Sequence, residues 1–233
     1  MKLSIIIPTY NEKDTILQLI KKVSSLDIDK QIIIVDDNST DGTQDLLRGI
    51  SIKNSEILYH EKNKGKGSAI RTGMQVATGD YLVIQDADLE YDPQDLVRMF
   101  QIVQEKKLKV LFGSRRLNKE NVQHSGVMYY LGGWVVTFIT NILFNQKLTD
   151  EPTCYKMFRA DFIKALPLKC RGFEFCPEVT ALTALKGVTI LEVPISYYPR
   201  NKKEGKKIKF RDGFEAIWVL IKYRFFSKTN KGV

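Results

Sequence analysis

Two β-branched runs set the limits on the fold: Ser4-Ile5-Ile6-Ile7 and Ile32-Ile33-Ile34-Val35. Each is apolar without alternation, the pattern of a strand buried on both faces, and each breaks into polar turn residues followed by a helical period. The first run leads into Pro8-Thr9-Tyr10-Asn11-Glu12, and the second into Asp36-Asp37-Asn38-Ser39-Thr40-Asp41-Gly42-Thr43. A third run, Tyr81-Leu82-Val83-Ile84-Gln85, ends in Asp86-Ala87-Asp88-Leu89-Glu90. Alternating strand and helix signals predict an α/β fold, a mostly parallel Rossmann-like sheet flanked by helices. Ligands bind beyond the carboxyl ends of strands in such sheets, so the three polar strand ends converge on one crevice.

Helical patterns fall at about Asp14 to Ser25, Thr43 to Gly49, Gly67 to Ala77 and Pro93 to Lys106. The last has Asp92 as a cap and Pro93 at its first position. A chain of 233 residues, 43% hydrophobic and 27% charged, suits a single domain with a large core. It carries neither an internal repeat nor a low-complexity linker. Cys154, Cys170 and Cys176 have neither metal-site spacing nor an even count for disulfides, which favours a reducing, cytoplasmic setting. The start Met1-Lys2-Leu3-Ser4-Ile5-Ile6-Ile7-Pro8 is too short and too soon interrupted for a signal peptide.

The chemistry concentrates after the third run. Side chains on an extended backbone repeat with period two, so Asp86, Asp88 and Glu90 reach one edge together. Hard divalent cations such as Mg²⁺ or Mn²⁺ take carboxylate oxygens there and keep positions for substrate phosphates. A lone Asp-x-Asp is also what an acidic turn looks like; convergence with two other polar strand ends is the stronger signal.

These motifs resemble inverting GT-A glycosyltransferases of family 2, and within them the branch of dolichyl-phosphate mannose synthases and bacterial polyprenyl-phosphate glycosyltransferases. The likeness rests on Pro8-Thr9-Tyr10-Asn11-Glu12, Val35-Asp36-Asp37, Gly65-Lys66-Gly67-Ser68-Ala69, Asp86-Ala87-Asp88, Gly113-Ser114-Arg115, and Val193-Pro194-Ile195-Ser196-Tyr197 with Arg200 and Lys206. The resemblance implies that Pro8, Tyr10, Glu12, Val35 and Asp37 hold the base and ribose of a sugar nucleotide, either a GDP-sugar or a UDP-sugar. It adds Lys66, Ala87 and Lys206 to the nucleotide-sugar site and gives Asp86 and Asp88 to the metal. Glu90 stands where those synthases commonly have Gln, keeping an oxygen ligand and adding a charge. Arg115, Arg200 and Lys206 would surround the diphosphate or the acceptor, the arginines by two-point contacts. In Thr149 to Arg159, Thr153 and Lys156 inherit an acceptor-phosphate role, while Cys154 stands where Gly is frequent. Glu178 would cap a helix or touch the donor sugar. His60 and His124 lie outside the matched motifs. One GT-A catalytic domain is thus expected over 1–233: a nucleotide-binding half at 1–115, an acceptor half at 116–200, and a basic loop with an amphipathic tail at 201–233.

Two segments bear on membranes. Residues 126–144 hold no charged side chain, long enough for a transmembrane helix. A span there would separate Arg115 from Arg200, which the resemblance puts at one site. Gly133, Thr137, Thr140 and Asn141 form a small or polar face opposite Leu131, Val135, Phe138 and Ile142. The expectation is a helix shared between protein and bilayer interface, with a dry core helix as the alternative. From Arg200 to Arg211 there are seven basic residues and one acidic, the larger part of a net charge of +9. Phe214, Ile217, Trp218 and Ile221 then follow at helical spacing. A basic stretch beside an aromatic amphipathic helix fits peripheral binding to the inner face of an anionic membrane; a solvated charged face with a docking helix is the plainer alternative. The base-stacking interleaving of aromatics expected of a nucleic-acid binder is missing.

A polyprenyl phosphate, with a second pKa of about 6 as a phosphate monoester, attacks without a strong base, whereas a sugar hydroxyl needs one. Transfer to a sugar hydroxyl of a surface polysaccharide, and a nucleotide-binding scaffold without turnover, remain the alternatives at this level.

Overall fold

The isoleucine runs form the middle of a seven-stranded sheet, in a computed structural model that describes residues 1–121, 127–200 and 210–226. β1 (Leu3–Thr9) lies between β2 (Lys30–Asp36) and β4 (Tyr81–Ile84), parallel to both. Register pairs Ile5 with Ile32 and Val83, so branched side chains stack across three strands with no exposed face. β3 (Ser55–Tyr59) extends the sheet parallel to β2. On the other side the order runs β4, β6 (Lys156–Arg159), β5 (Val110–Ser114), β7 (Leu191–Pro194). β6 is antiparallel to both β4 and β5, and β7 is parallel to β5. Strands from both expected halves therefore share one sheet.

The helices of the first half fall where the periodicity puts them: α1 (Ile16–Ser24), α2 (Thr43–Arg48), α3 (Lys66–Val76) and α4 (Gln94–Glu105). Asp92 accepts a hydrogen bond from the Gln94 amide at 3.1 Å, and Pro93 has helical backbone angles, so the expected cap forms. α3 lies close on β1 because Gly73 faces it; a Cβ there would fall 2.7 Å from Ile6 Cγ2. β7 is short, since the backbone leaves the ladder after Pro194. Tyr197 instead bridges to Tyr91, and the Tyr198 amide donates to the Glu90 carbonyl at 2.7 Å. That detour carries Arg200 over the ends of β1 and β4.

The second half adds α5 (Val127–Phe144), α6 (Ala160–Lys164), α7 (Phe175–Leu185) and α8 (Phe210–Ile221), which runs on into a π-helical turn over Lys222–Phe226. α5 packs on α7 and α8. Its amphipathicity is inverted. Thr137 and Thr140 are buried and satisfied by carbonyls one turn back, while Trp134 is 50% exposed and Ile142 64%. Leu131, Val135 and Phe138 share that exposed face, which excludes the dry core helix. On α8, Phe214 (76%) and Trp218 (59%) are exposed, Ile217 and Ile221 are half-buried, and Val219 and Leu220 pack inward. Among the described residues, no helix is long and apolar enough to cross a membrane. Most of the basic stretch from Arg200 to Arg211, with Lys206, lies outside the described residues, as does His124.

Candidate active site

A cleft of about 740 Å³ opens at the carboxyl ends of β1, β2 and β4. Pro8, Tyr10, Glu12, Asp37, Lys66, Asp86, Ala87, Asp88, Glu90, Arg115 and Arg200 all line it. Val35 does not: it points into the core under α3, with its Cγ2 3.4 Å from where a Gly73 Cβ would sit. Its neighbour Ile33 on the same strand face is equally buried, because β2 is covered on both faces.

Asp37 organises one wall. One oxygen accepts from the Lys64 amide at 2.8 Å and the other from the Gly65 amide at 2.7 Å. His60 Nδ1 lies 2.7 Å from the same carboxylate, and Nε2 lies 2.9 Å from Thr72 Oγ1. His60 is therefore a buried support for Asp37, a role its place outside the motifs did not disclose. Gly65 has φ +92, and a Cβ on it would meet the Arg171 carbonyl oxygen at 2.5 Å, so the turn that starts α3 requires glycine.

From that turn Lys66 reaches across the cleft. Its Nζ lies 2.5 Å from Asp86 Oδ1 and 5.5 Å from the centre of the Phe173 ring. Burial lowers the Lys66 pKa, but Asp86 outweighs it and the net shift is upward. Two residues on, Asp88 receives Arg200: Nη2 is 3.3 Å from Asp88 Oδ2, and Nη1 is 3.2 Å from Glu12 Oε2. Burial first, then Asp86 and Glu90, push Asp88 up to about 7 against the pull of Arg200. Four carboxylates, Glu12, Asp86, Asp88 and Glu90, here face the two cations Lys66 and Arg200. Glu90 does not stand free beside the two aspartates. One of its oxygens accepts from the Tyr197 hydroxyl at 2.7 Å and the other from the Arg200 amide at 2.9 Å. Its carboxylate fastens the crossing segment over the cleft, a use the sequence reading as a third metal ligand did not contain.

Asp86 and Asp88 fit the expected Mg²⁺ or Mn²⁺. Their hard oxygens lie at a strand edge with surplus negative charge, and such ions commonly take one or two carboxylates plus substrate phosphates. Among the described residues no set of three His, Cys, Asp or Glu side chains forms a cation cage.

Arg115 follows β5 and turns its fork to Asp150. Nε and Nη2 each lie 2.7 Å from an Asp150 oxygen, and the Arg115 amide donates to Oδ2 at 2.9 Å. Burial raises the Asp150 pKa, but the guanidinium and its hydrogen bonds more than reverse that, so the net shift is down. Arg115 also stacks on Tyr197, 5.0 Å from its ring centre. Asp150 is thereby the missed partner of an expected residue. The signal for it in the sequence is an Asp-Glu pair shortly after an uncharged helix, at Asp150-Glu151.

Thr153 and Lys156 are placed differently from the acceptor role the resemblance implied. Both are fully buried below the cleft wall. The Lys156 ammonium donates to the carbonyls of Glu151 and Thr153 and sits 4.2 Å from the Phe112 ring centre. The reason is β6: as an interior strand it turns Lys156 inward. Glu178 neither caps α7 nor touches the cleft. It accepts from the Lys169 and Cys170 amides, each at 2.9 Å, and from the Tyr223 hydroxyl at 2.5 Å.

At its far end the cleft passes between α5 and α8, where Gly132, Gly133, Val136, Gly213 and Ala216 form a floor of small, apolar residues beside Asp212 and Arg116. A Cβ built on Gly132 or Gly213 meets nothing within 4 Å.

The chain is 29% identical over 214 residues to the undecaprenyl-phosphate mannosyltransferase of Micrococcus luteus, covering 88% of this chain and 87% of that protein. It is 28% identical over 236 residues to the UDP-N-acetylglucosamine–dolichyl-phosphate N-acetylglucosaminyltransferase of Methanococcus voltae, covering 93% and 94%. A low-salt glycan biosynthesis hexosyltransferase of Haloferax volcanii is 29% identical over 224 residues, 94% of this chain and only 53% of that protein. Among solved structures, the fold matches glucosyl-3-phosphoglycerate synthase from Mycobacterium tuberculosis in complex with Mg²⁺ and UDP, with a TM-score of 0.72 at 17% identity over 100% of this chain and 82% of that one. That likeness gives the fold as GT-A. The sequence profile of glycosyl transferase family 2 matches residues 4–166, and the chain belongs to that family.

Proposed function

We propose that the protein transfers a sugar from a nucleotide diphosphate sugar to a polyprenyl phosphate at the cytoplasmic face of a membrane. One observation carries this reading: a single cleft joins a highly charged end, holding Asp86, Asp88, Lys66 and Arg200, to a floor of small, mostly apolar residues between α5 and α8, which Asp212 also lines. A nucleotide diphosphate suits the first end and an isoprenoid the second. Two relatives that match along most of both chains carry polyprenyl-phosphate acceptors in their names, which supports the same assignment.

In this reading Pro8, Tyr10, Glu12 and Asp37 border the nucleoside, and Asp86 and Asp88 hold the divalent cation. When bound, that cation neutralises charge on the departing diphosphate. Arg200, held by Glu12, Asp88 and the Glu90 carboxylate, covers the donor and keeps water from it. Arg115 faces the cleft from the acceptor side, fixed by Asp150. Tyr197 packs between Arg115 and Glu90, so the two arginines are set by one aromatic residue. The attacking phosphate oxygen is already ionised, so no general base is required.

The exposed apolar faces of α5 and α8 suit the bilayer interface and bring the lipid acceptor to that floor. A panel of UDP- and GDP-sugars tested with a short-chain polyprenyl phosphate, with and without Mn²⁺, checks the proposal. Metal-dependent appearance of a polyprenyl-phosphate sugar is the expected result. Equal transfer to a free sugar alcohol, or nucleotide hydrolysis that polyprenyl phosphate does not redirect, would overturn it.

A further inference from the structure

The two aspartates of the cleft are not bare. Lys66 Nζ lies 2.5 Å from Asp86 Oδ1, and Arg200 reaches Asp88, Glu12 and Glu90 together. These cations differ in their freedom. Arg200 is fixed by its backbone amide on Glu90 and by contacts to three carboxylates. Lys66 is fixed at its root, and its ammonium holds a single carboxylate. Gly65 is pressed on the Arg171 carbonyl, and the Ser68 amide donates to that same carbonyl at 3.0 Å, so the first turn of α3 is rigid. Beyond the root runs a flexible four-carbon stem ending in a compact charge with three donors. Its ammonium holds one carboxylate and lies beside the Phe173 ring, in the wall of the cleft where a diphosphate would enter.

We propose that Lys66 is a charge-exchange residue: it occupies Asp86 in the empty enzyme, and transfers to the donor diphosphate when a divalent cation takes Asp86. The inference rests on the nucleotide and metal reading of the cleft and goes beyond it by giving the order of charges. A cation entering alone must break the Lys66–Asp86 pair and leave the ammonium without an anion. A nucleotide diphosphate entering alone meets a lysine already engaged. Entering together, metal and diphosphate give each displaced group a new partner, so each raises the affinity of the other. A lysine that contacted phosphate without pairing with Asp86 would leave that carboxylate open to the cation in the nucleotide's absence.

Mn²⁺ binding followed by electron paramagnetic resonance, with no sugar donor and no acceptor, separates these cases. In the wild-type protein, Mn²⁺ alone should bind weakly and tighten about tenfold or more when UDP or GDP is added. Lys66→Met should bind Mn²⁺ alone about tenfold more tightly than wild type and lose most of the nucleotide enhancement. Lys66→Arg, which keeps the charge, should stay weak for Mn²⁺ alone. Circular dichroism confirms that each variant is folded. Unchanged or weaker Mn²⁺ affinity in Lys66→Met, or equal affinities in the Met and Arg variants, would overturn the exchange while leaving the nucleotide and metal site intact. No Mn²⁺ binding to wild type even with UDP and GDP present would remove the site reading itself, and the exchange with it.

Discussion

Arg115→Met isolates the buried pair with Asp150. Asp150 has no exposed surface, and the Arg115 side chain is 24% exposed. Removing the arginine side chain leaves a carboxylate out of water with only the backbone amide of residue 115 and the more distant Arg116. Breaking a buried pair from one side costs about 3–5 kcal/mol, far more than the pair itself contributes over an apolar replacement. The pH dependence gives a sharper signature. With Arg115 present the Asp150 pKa is depressed, so the pair stabilises the fold above the unfolded value near 3.8 and loses that contribution as pH falls through the lower folded value. In Arg115→Met, burial acts without its main opponent and the pKa rises. The variant then gains relative stability at low pH and loses it as pH climbs through the raised value. The penalty should therefore widen from pH 4.5 to pH 7.5. Urea unfolding followed by far-ultraviolet circular dichroism at both pH values measures it. A penalty below about 1 kcal/mol at pH 7.5, within the range of ordinary surface substitutions, or one identical at both pH values, would refute the electrostatic account of Asp150.

Asp88→Ala should abolish transfer while leaving the fold intact, since the residue serves the cleft and its ionised form is disfavoured there; near-normal turnover with saturating Mg²⁺ or Mn²⁺ would contradict its role. Gly213→Leu or Gly132→Leu should fill the floor between α5 and α8 without backbone strain, raising the apparent KM for polyprenyl phosphate several-fold with UDP or GDP binding unchanged. Equal KM values would place the isoprenoid elsewhere. Trp134→Glu and Trp218→Glu should each reduce co-sedimentation with anionic vesicles, and raising the salt should weaken binding of the wild-type protein further. Binding that resists both substitutions and salt would argue against an interfacial contact through these helices.

The centre of the sheet was legible because nothing competes with a run such as Ile5-Ile6-Ile7: residues this apolar and this branched have few places except a strand covered on both faces. The site's charged end was legible for a related reason, since a polar strand end beyond a buried strand has one direction to face. Legibility failed where residues act against their type. Lys156 is buried although lysine almost never is, because two carbonyls of its own approach segment accept from its ammonium. β6 is only four residues long with a basic residue at each end, so no period could announce it or its antiparallel direction. Asp150, Glu178 and His60 work through partners distant in sequence, at separations that no local pattern records. The two faces of α5 are legible in its helical period, yet only packing says that the polar one turns inward.

The hydroxyl of Tyr223 on Glu178 has a consequence for the order in which this chain is made. The Glu178 carboxylate holds the amides of Lys169 and Cys170, and the residue after them, Arg171, presents the carbonyl against which Gly65 and Ser68 are packed. A ribosome delivers the Gly65 turn early, the Glu178 carboxylate much later, and Tyr223 later still. The wall that carries Lys66 therefore gains its last bond only after both apolar helices, α5 and α8, have been synthesised. A nascent chain cannot finish that wall before it has also made the faces through which it would meet a lipid.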